Sequence, residues 1–135
     1  MSSVDVVSAG AALGGRLLLA ALFLLEGWSK LNGYAAAAHY MEAFSVPAAL
    51  LPLVIVVELG AGLLIAIGWQ TRFASLALAG FSVLAALLFH ANFADRSQVL
   101  HFEKDLAIAG GLLVLFAFGP GRFSIEGSRS GRALV

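Results

Sequence analysis

Three charged side chains lie within or beside apolar stretches of this chain that are long enough to approach a membrane span. Glu58 is the only charged residue in segment 47–68, and Glu26 and Lys30 follow the unbroken apolar run 17–25. A charge inside a span costs about 2.5–3.5 kcal/mol on the lenient insertion scale, so it usually marks a functional site or a buried pair. Carboxylates at this depth can relay protons, and an ammonium group donates hydrogen bonds.

A second polar group precedes the last apolar stretch, which covers residues 106–118. His101 and Lys104 are hydrogen-bond donors, and Asp105 adds a carboxylate. His101 and Asp105 are four residues apart, as are the Glu and Lys of the first stretch. Residues at this spacing share one face of a helix, so both pairs can project into one interior column.

Structural roles would also account for several of these residues. Glu26 and Lys30 could form an ion pair within one helix, with Lys30 extending to the interface. Lys104 could be an interfacial anchor, and His101 an ordinary interface residue. Glu58 differs because no nearby helix end lets it reach water, so we expect it to face the bundle interior or a cavity.

The composition is that of an integral membrane protein. Hydrophobic residues make up 61% of the chain and charged residues 12%, against about 45–50% and about 25% in soluble domains. The net charge is zero and no basic run occurs, so nothing indicates nucleic-acid binding. Cysteine is absent, which excludes thiol redox chemistry and thiolate ligands within this sequence. We expect no metal site.

The elements that must position these residues are helices, because backbone polar groups in lipid have to be satisfied internally. We predict one all-α domain over residues 1–135, an antiparallel four-helix membrane bundle with a polar cytoplasmic tail at 120–135. The predicted spans cover about residues 11–32, 48–68, 72–91 and 99–119. The long 33–46 connection is expected to lie on the membrane surface.

Positive charges favour one orientation. With four spans, both termini and the turn at 69–71 share a side. That side collects Arg72, Arg122, Arg129 and Arg132, with Arg16 as a simple marker of the end of the first span. The positive-inside rule therefore places both termini in the cytoplasm.

Counting about 1.5 Å per residue from the cytoplasmic ends sorts the polar side chains by depth. Three layers are predicted: Glu26 with Glu58 near the midplane, Lys30 with Asp105 above them, and His90 with His101 at the outer mouth.

The chain resembles the DoxX family in the order and spacing of short motifs over about residues 12–126. These are Arg16 followed by Gly27-x-x-Lys30, then Glu58-Leu-Gly-Ala-Gly62 with Gly68-x-x-Thr71-Arg72, then Lys104-Asp105, and last Gly119-Pro-Gly121-Arg-Phe-Ser124-Ile-Glu126. The closing motif of the family more often ends in Asp, where this chain has Glu126.

This resemblance implies a small, multi-pass, four-helix protein of the inner membrane. The family takes its name from a subunit associated with a quinol oxidase, and other members are linked to membrane oxidoreductase or redox-stress complexes. The implied partners are the lipid bilayer and other redox subunits or a second copy of the chain.

Three functions fit these observations. The first is a subunit of a quinone-linked oxidoreductase, without an intrinsic cofactor, whose polar site lies in the outer half of the bilayer. A quinone needs donors to its carbonyls and titratable groups that supply protons; the candidates are Glu26, Lys30, Glu58, His101, Lys104 and Asp105. The second is a carrier of protons or of a small, lipid-like molecule. The third is a structural or assembly subunit in which the charges only pack as pairs.

Overall fold

The protein is helical throughout the part that the structure, a computed structural model, describes: the backbone of residues 2–133 and side chains up to Arg129. No strand occurs in this range. The helices are α1 (Ser3–Asn32), α2 (Tyr34–Ala43), α3 (Leu51–Ile67), α4 (Thr71–Phe89), α5 (Arg96–Phe118) and α6 (Ile125–Ala133). A short 3-10 turn, Ala48–Leu50, leads into α3.

Three segments are long and apolar enough to cross a membrane, namely α1, Ala48–Ile67 and α4. They match the first three predicted spans, so the prediction of an all-helical membrane protein is confirmed. The predicted fourth span corresponds to α5, which is 23 residues long. It does not meet the same requirement, because the consecutive charges Glu103, Lys104 and Asp105 interrupt its apolar sequence.

The first helix begins earlier than the predicted start of span one near residue 11. Ser2 and Asp5 form a capping box: the Ser2 hydroxyl accepts a hydrogen bond from the Asp5 amide, and the Asp5 carboxylate accepts one from the Ser2 amide. This arrangement satisfies amides that a helix start otherwise leaves unpaired, so α1 extends about two turns beyond its apolar part.

The long helices pack in a ring. Helix α3 lies along α1 and α4, α5 packs extensively on α4, and α1 touches α5 only locally. Gly27 and Gly62 let α1 and α3 approach closely, since a Cβ at Gly27 would lie 2.8 Å from Leu59 and one at Gly62 would lie 3.2 Å from Leu24. The main core is formed by Ala20, Phe23, Ile65, Ala74, Leu78, Ala79 and Leu112.

Candidate functional site

A cavity of about 760 Å³ opens on one side of this core, between the long helices and under α2. Its walls are mainly apolar. All six predicted site residues line it: Glu26, Lys30, Glu58, His101, Lys104 and Asp105. The structure therefore brings the predicted residues of α1, α3 and α5 together around one space.

Glu58 is the most deeply placed of them. It belongs to the buried face of α3, which repeats at helical spacing through Leu51, Ile55, Glu58, Gly62 and Ile65. Its side chain is only 2% exposed, and a buried carboxylate is costly unless a cation compensates its charge. As expected from its distance to either helix end, Glu58 faces the interior.

Lys30 supplies that cation. Its Nζ lies 2.8 Å from Glu58 Oε1 and 3.5 Å from Glu26 Oε2. The contact to α3 is shorter than the one within α1, so Lys30 is turned inward and not only extended toward the interface. Glu26 remains 57% exposed, and Lys30 is 28% exposed. One ammonium group therefore lies between a buried carboxylate and an accessible one, at the cavity wall.

A second polar group forms between the end of α4 and the first half of α5. His90 Nε2 lies 3.7 Å from Asp105 Oδ2, which is within range for an ion pair but too long for a hydrogen bond. The His90 and His101 rings are 5.0 Å apart between centroids. His90 was predicted in the outer layer but not among the binding residues. Its position after the last turn of α4 was the available signal.

Helix α2 covers the cavity with Tyr40 and Met41. The Tyr40 ring packs on Phe44 and Phe89, with centroids 4.9 Å and 5.5 Å away. Burial raises the pKa of the Tyr40 phenol above its ordinary value, so the hydroxyl stays protonated at neutral pH. Sequence reasoning placed this segment on the membrane surface and missed Tyr40 as a donor that lines the cavity.

A separate polar cluster closes the opposite end of the bundle, and we call it the inner clamp (Arg16, Gly68, Thr71, residues 119–126). The sequence interpretation of Arg16 as a simple end marker was incomplete, because its side chain is only 3% exposed. Its Nη1 donates to the Pro120 carbonyl at 2.6 Å, and its Nη2 donates to Phe123 at 2.9 Å and to Ala66 at 3.4 Å.

Glu126 completes the inner clamp. Its Oε1 accepts a hydrogen bond from the Thr71 amide at 2.8 Å, and its own amide donates to the Gly68 carbonyl at 3.1 Å. Gly68 ends α3 in a left-handed conformation, with φ of 71°, and Ser124 occupies the space where a Cβ would lie. The turn motif and the closing motif are therefore one structural unit, away from the cavity.

Among the side chains that the structure describes, which end at Arg129, no group of three His, Asp or Glu residues is arranged to hold a metal ion. The cavity instead combines ammonium, imidazole and phenol donors with carboxylates in apolar surroundings. Such a site can hydrogen-bond the polar end of a small, largely apolar molecule and exchange protons with it.

The chain belongs to the DoxX family, whose model matches residues 11–91. It is 50% identical over 111 residues to the inner membrane protein YqjF of Escherichia coli K12, covering 82% of this chain and 85% of that protein. It is 27% identical over 119 residues to the inner membrane protein YphA of the same organism, covering 82% of this chain and 84% of that protein. No solved structure matches the chain significantly.

These relationships confirm the resemblance drawn from the motifs. With the three apolar helices, they also confirm the predicted location, and the protein is a multi-pass protein of the inner membrane.

Proposed function

We propose that this chain is a membrane subunit that binds a quinone in the cavity and works with an oxidoreductase or redox-stress complex. The observation that carries the proposal is the buried Glu58 carboxylate, held by Lys30 at the wall of a largely apolar cavity of about 760 Å³. A quinone ring suits the apolar walls, and its carbonyl oxygens need donors.

Lys30 is the proposed donor to one quinone carbonyl. An ammonium group carries three N–H donors, and Lys30 already lies between two carboxylates without being enclosed by them. It can therefore turn one donor toward a ligand while it still compensates the charge of Glu58. His101, Lys104 and Tyr40 offer further donors around the same space.

The carboxylates are the proposed proton relay. Reduction of a quinone to a quinol takes up two electrons and two protons, and the reverse reaction releases them. Protons would pass between Glu58, Glu26 and the outer group of His90, His101 and Asp105. The electrons would come from, or go to, a metal or flavin centre of a partner subunit, and the partner completes the active unit.

We also propose that α5 is a fourth span and that the bundle is antiparallel with both termini in the cytoplasm. Two features of α5 support this arrangement: it packs along α4, and Lys104 and Asp105 line the cavity near its outer part. The arginines near the inner clamp favour the cytoplasmic side for that end. The cavity then lies in the outer half of the bilayer.

The test is the quinone content of protein purified in mild detergent, measured by mass spectrometry of an organic extract. We expect near-stoichiometric quinone in the wild-type protein and its loss in Glu58→Gln/Lys30→Met, a pair of changes that removes both charges together. Glu103→Gln is the matched control, because Glu103 is exposed on α5 and does not line the cavity. Equal quinone in all three proteins would contradict the proposal.

An assembly role is the second candidate, and one observation favours it. The Lys30–Glu58 ion pair joins α1 directly to α3, with Nζ 2.8 Å from Oε1, as a purely structural pair would. In that case Glu58→Gln would alter stability or complex assembly, and the wild-type protein itself would carry no quinone. A carrier role would instead show as altered uptake or efflux in the same variant.

A further inference from the structure

The cavity wall contributed by α3 and α4 contains exposed leucines. Leu53 on α3 and Leu84 on α4 both line the cavity, although 59% and 54% of their surfaces are exposed. Leu88 lines the same side and is 43% exposed. A residue that is both part of the cavity wall and part of the outer surface marks a rim, so the wall is open or thin here.

The helices separate at this place for a local reason. The turn at residues 68–70 joins α3 to α4 at the inner end, where Ile65 and Leu78 belong to the same buried core. Toward the outer end, the facing positions Leu53, Val54, Leu84 and Ala85 line the cavity. The two helices thus share the core near their connecting turn and line the cavity at their other ends.

The opposite side of the cavity has different chemistry. There α1 and α5 touch only locally, and the exposed lining residues are Glu26, His101 and Lys104. The exposed rim of the cavity is therefore formed by leucines on the α3–α4 side and by charged and polar groups on the α1–α5 side. A ligand that matches both sides has a polar head and an apolar tail.

We infer that the opening between α3 and α4 is a lateral entrance from the outer leaflet, and that the ligand is a membrane-dissolved quinone with a long apolar tail. Its head reaches Lys30, and its tail lies against Leu53, Leu84 and Leu88. The inference rests on the proposed function. Lipid tails are as apolar as these leucines, so contact with the leucines adds little binding free energy. The opening determines which molecules can enter and how they are oriented, and the contacts of the head group supply the affinity.

The experiment compares two probes in lipid nanodiscs: a decyl-tailed dimethoxy-methylbenzoquinone and its tailless parent. The variant Leu53→Trp/Leu84→Trp fills the rim on both helices. Leu63→Trp is the control, because Leu63 is a lipid-facing residue of α3, 55% exposed, that does not line the cavity. Each variant is compared with the wild type for the same probe, so partitioning into the bilayer cancels.

We expect the rim variant to lose about tenfold in affinity for the tailed probe, which is ~1.4 kcal/mol, and to bind the tailless probe as the wild type does. The control variant should bind both probes normally. Unchanged binding of the tailed probe, or equal loss of both probes, would overturn the lateral entrance and leave the quinone site standing. Failure of the wild-type protein to bind either probe would overturn the proposed function itself.

A second measurement does not depend on the variants. A decyl-tailed probe with a photoreactive diazirine at the tail end is bound to the wild-type protein, irradiated and mapped by peptide mass spectrometry. Labels should fall in segments 50–57 and 81–88. Labels on α1 or α5 instead would place the tail on the other side and overturn the inference.

Discussion

The two ends of the bundle each bury a charged side chain, and they do so in different ways. At the inner clamp, Arg16 is 3% exposed and donates to the backbone carbonyls of Ala66, Pro120 and Phe123. At the cavity, Glu58 is 2% exposed and is compensated by Lys30, whose side chain remains partly accessible.

The two sites differ in whether the cationic side chain can exchange its hydrogen-bond partners. A guanidinium has donors in a rigid plane, whereas an ammonium on a flexible stem can change partners. The carbonyls around Arg16 belong to a helix end and to the segment after α5, and one guanidinium group joins all three. Buried charge thus stabilises the fold at one end and, in our proposal, binds a ligand at the other.

The largest effect should come from Arg16→Met at the inner clamp. The change removes the donor of three carbonyls, and the hydrogen bond to Pro120 is buried; a buried acceptor left unpaired costs about 1–3 kcal/mol. We expect a loss of about 3 kcal/mol in the free energy of unfolding, seen as a clearly lower thermal midpoint in detergent. Wild-type stability in this variant would mean that the inner clamp does not hold the fold together.

Lys30→Met should come next, because it leaves Glu58 buried without its cation. Removing one partner of a fully buried ion pair costs about 3–5 kcal/mol, and we expect about 2 kcal/mol here since Lys30 is 28% exposed. Adding Glu58→Gln should restore much of the stability but not the quinone content. Recovery of both would show that the pair is structural only.

Glu126→Ala should have a smaller effect at the inner clamp. Glu126 accepts the Thr71 amide at the start of α4, and loss of such a cap costs about 1 kcal/mol. Glu126→Gln, which keeps an acceptor oxygen, should retain most of that stability. Thermal unfolding of both variants tests this order, and an equal loss would point to the charge of Glu126 and not to its hydrogen bond.

Much of the cavity could be predicted because helical periodicity and depth can be estimated for each helix separately. The depth estimate placed His90 and His101 at one level, and their rings lie 5.0 Å apart. It placed Glu26 and Glu58 at another, and both lie near Lys30. The depth estimate and the helical spacing also predicted that polar residues of three helices meet, and the six candidates line one cavity. Their role in binding stays a prediction.

The rotation of one helix against another could not be predicted in this way. Lys30 faces Glu58 because α1 and α3 meet closely at Gly27 and Gly62, and the sequence offers no measure of that angle. The position of α2 over the cavity was missed for a related reason. Its Ala-rich segment has little amphipathic pattern, so nothing indicated that Tyr40 lines the cavity.

The smallest expected effect comes from Asp105→Asn, which tests whether a residue at the cavity contributes to binding and not to stability. Asp105 and His90 are 23% and 21% exposed and 3.7 Å apart, so their pairing should contribute no more than about 0.5 kcal/mol to folding. Asp105→Asn should therefore leave the thermal midpoint unchanged. Because Asp105 lines the cavity and its Oδ2 has no hydrogen-bond partner, we expect quinone affinity to fall about twofold.

Asp95→Ala, at the start of α5, should change stability and leave quinone affinity unchanged. The Asp95 carboxylate accepts a hydrogen bond from the Ser97 amide at 2.9 Å and caps α5, but Asp95 does not line the cavity. We expect this variant to lose about 1 kcal/mol of stability with unchanged quinone affinity, measured by thermal unfolding and by binding in nanodiscs. If Asp105→Asn and Asp95→Ala altered stability and affinity alike, the outer polar groups would be structural, as those of the inner clamp are.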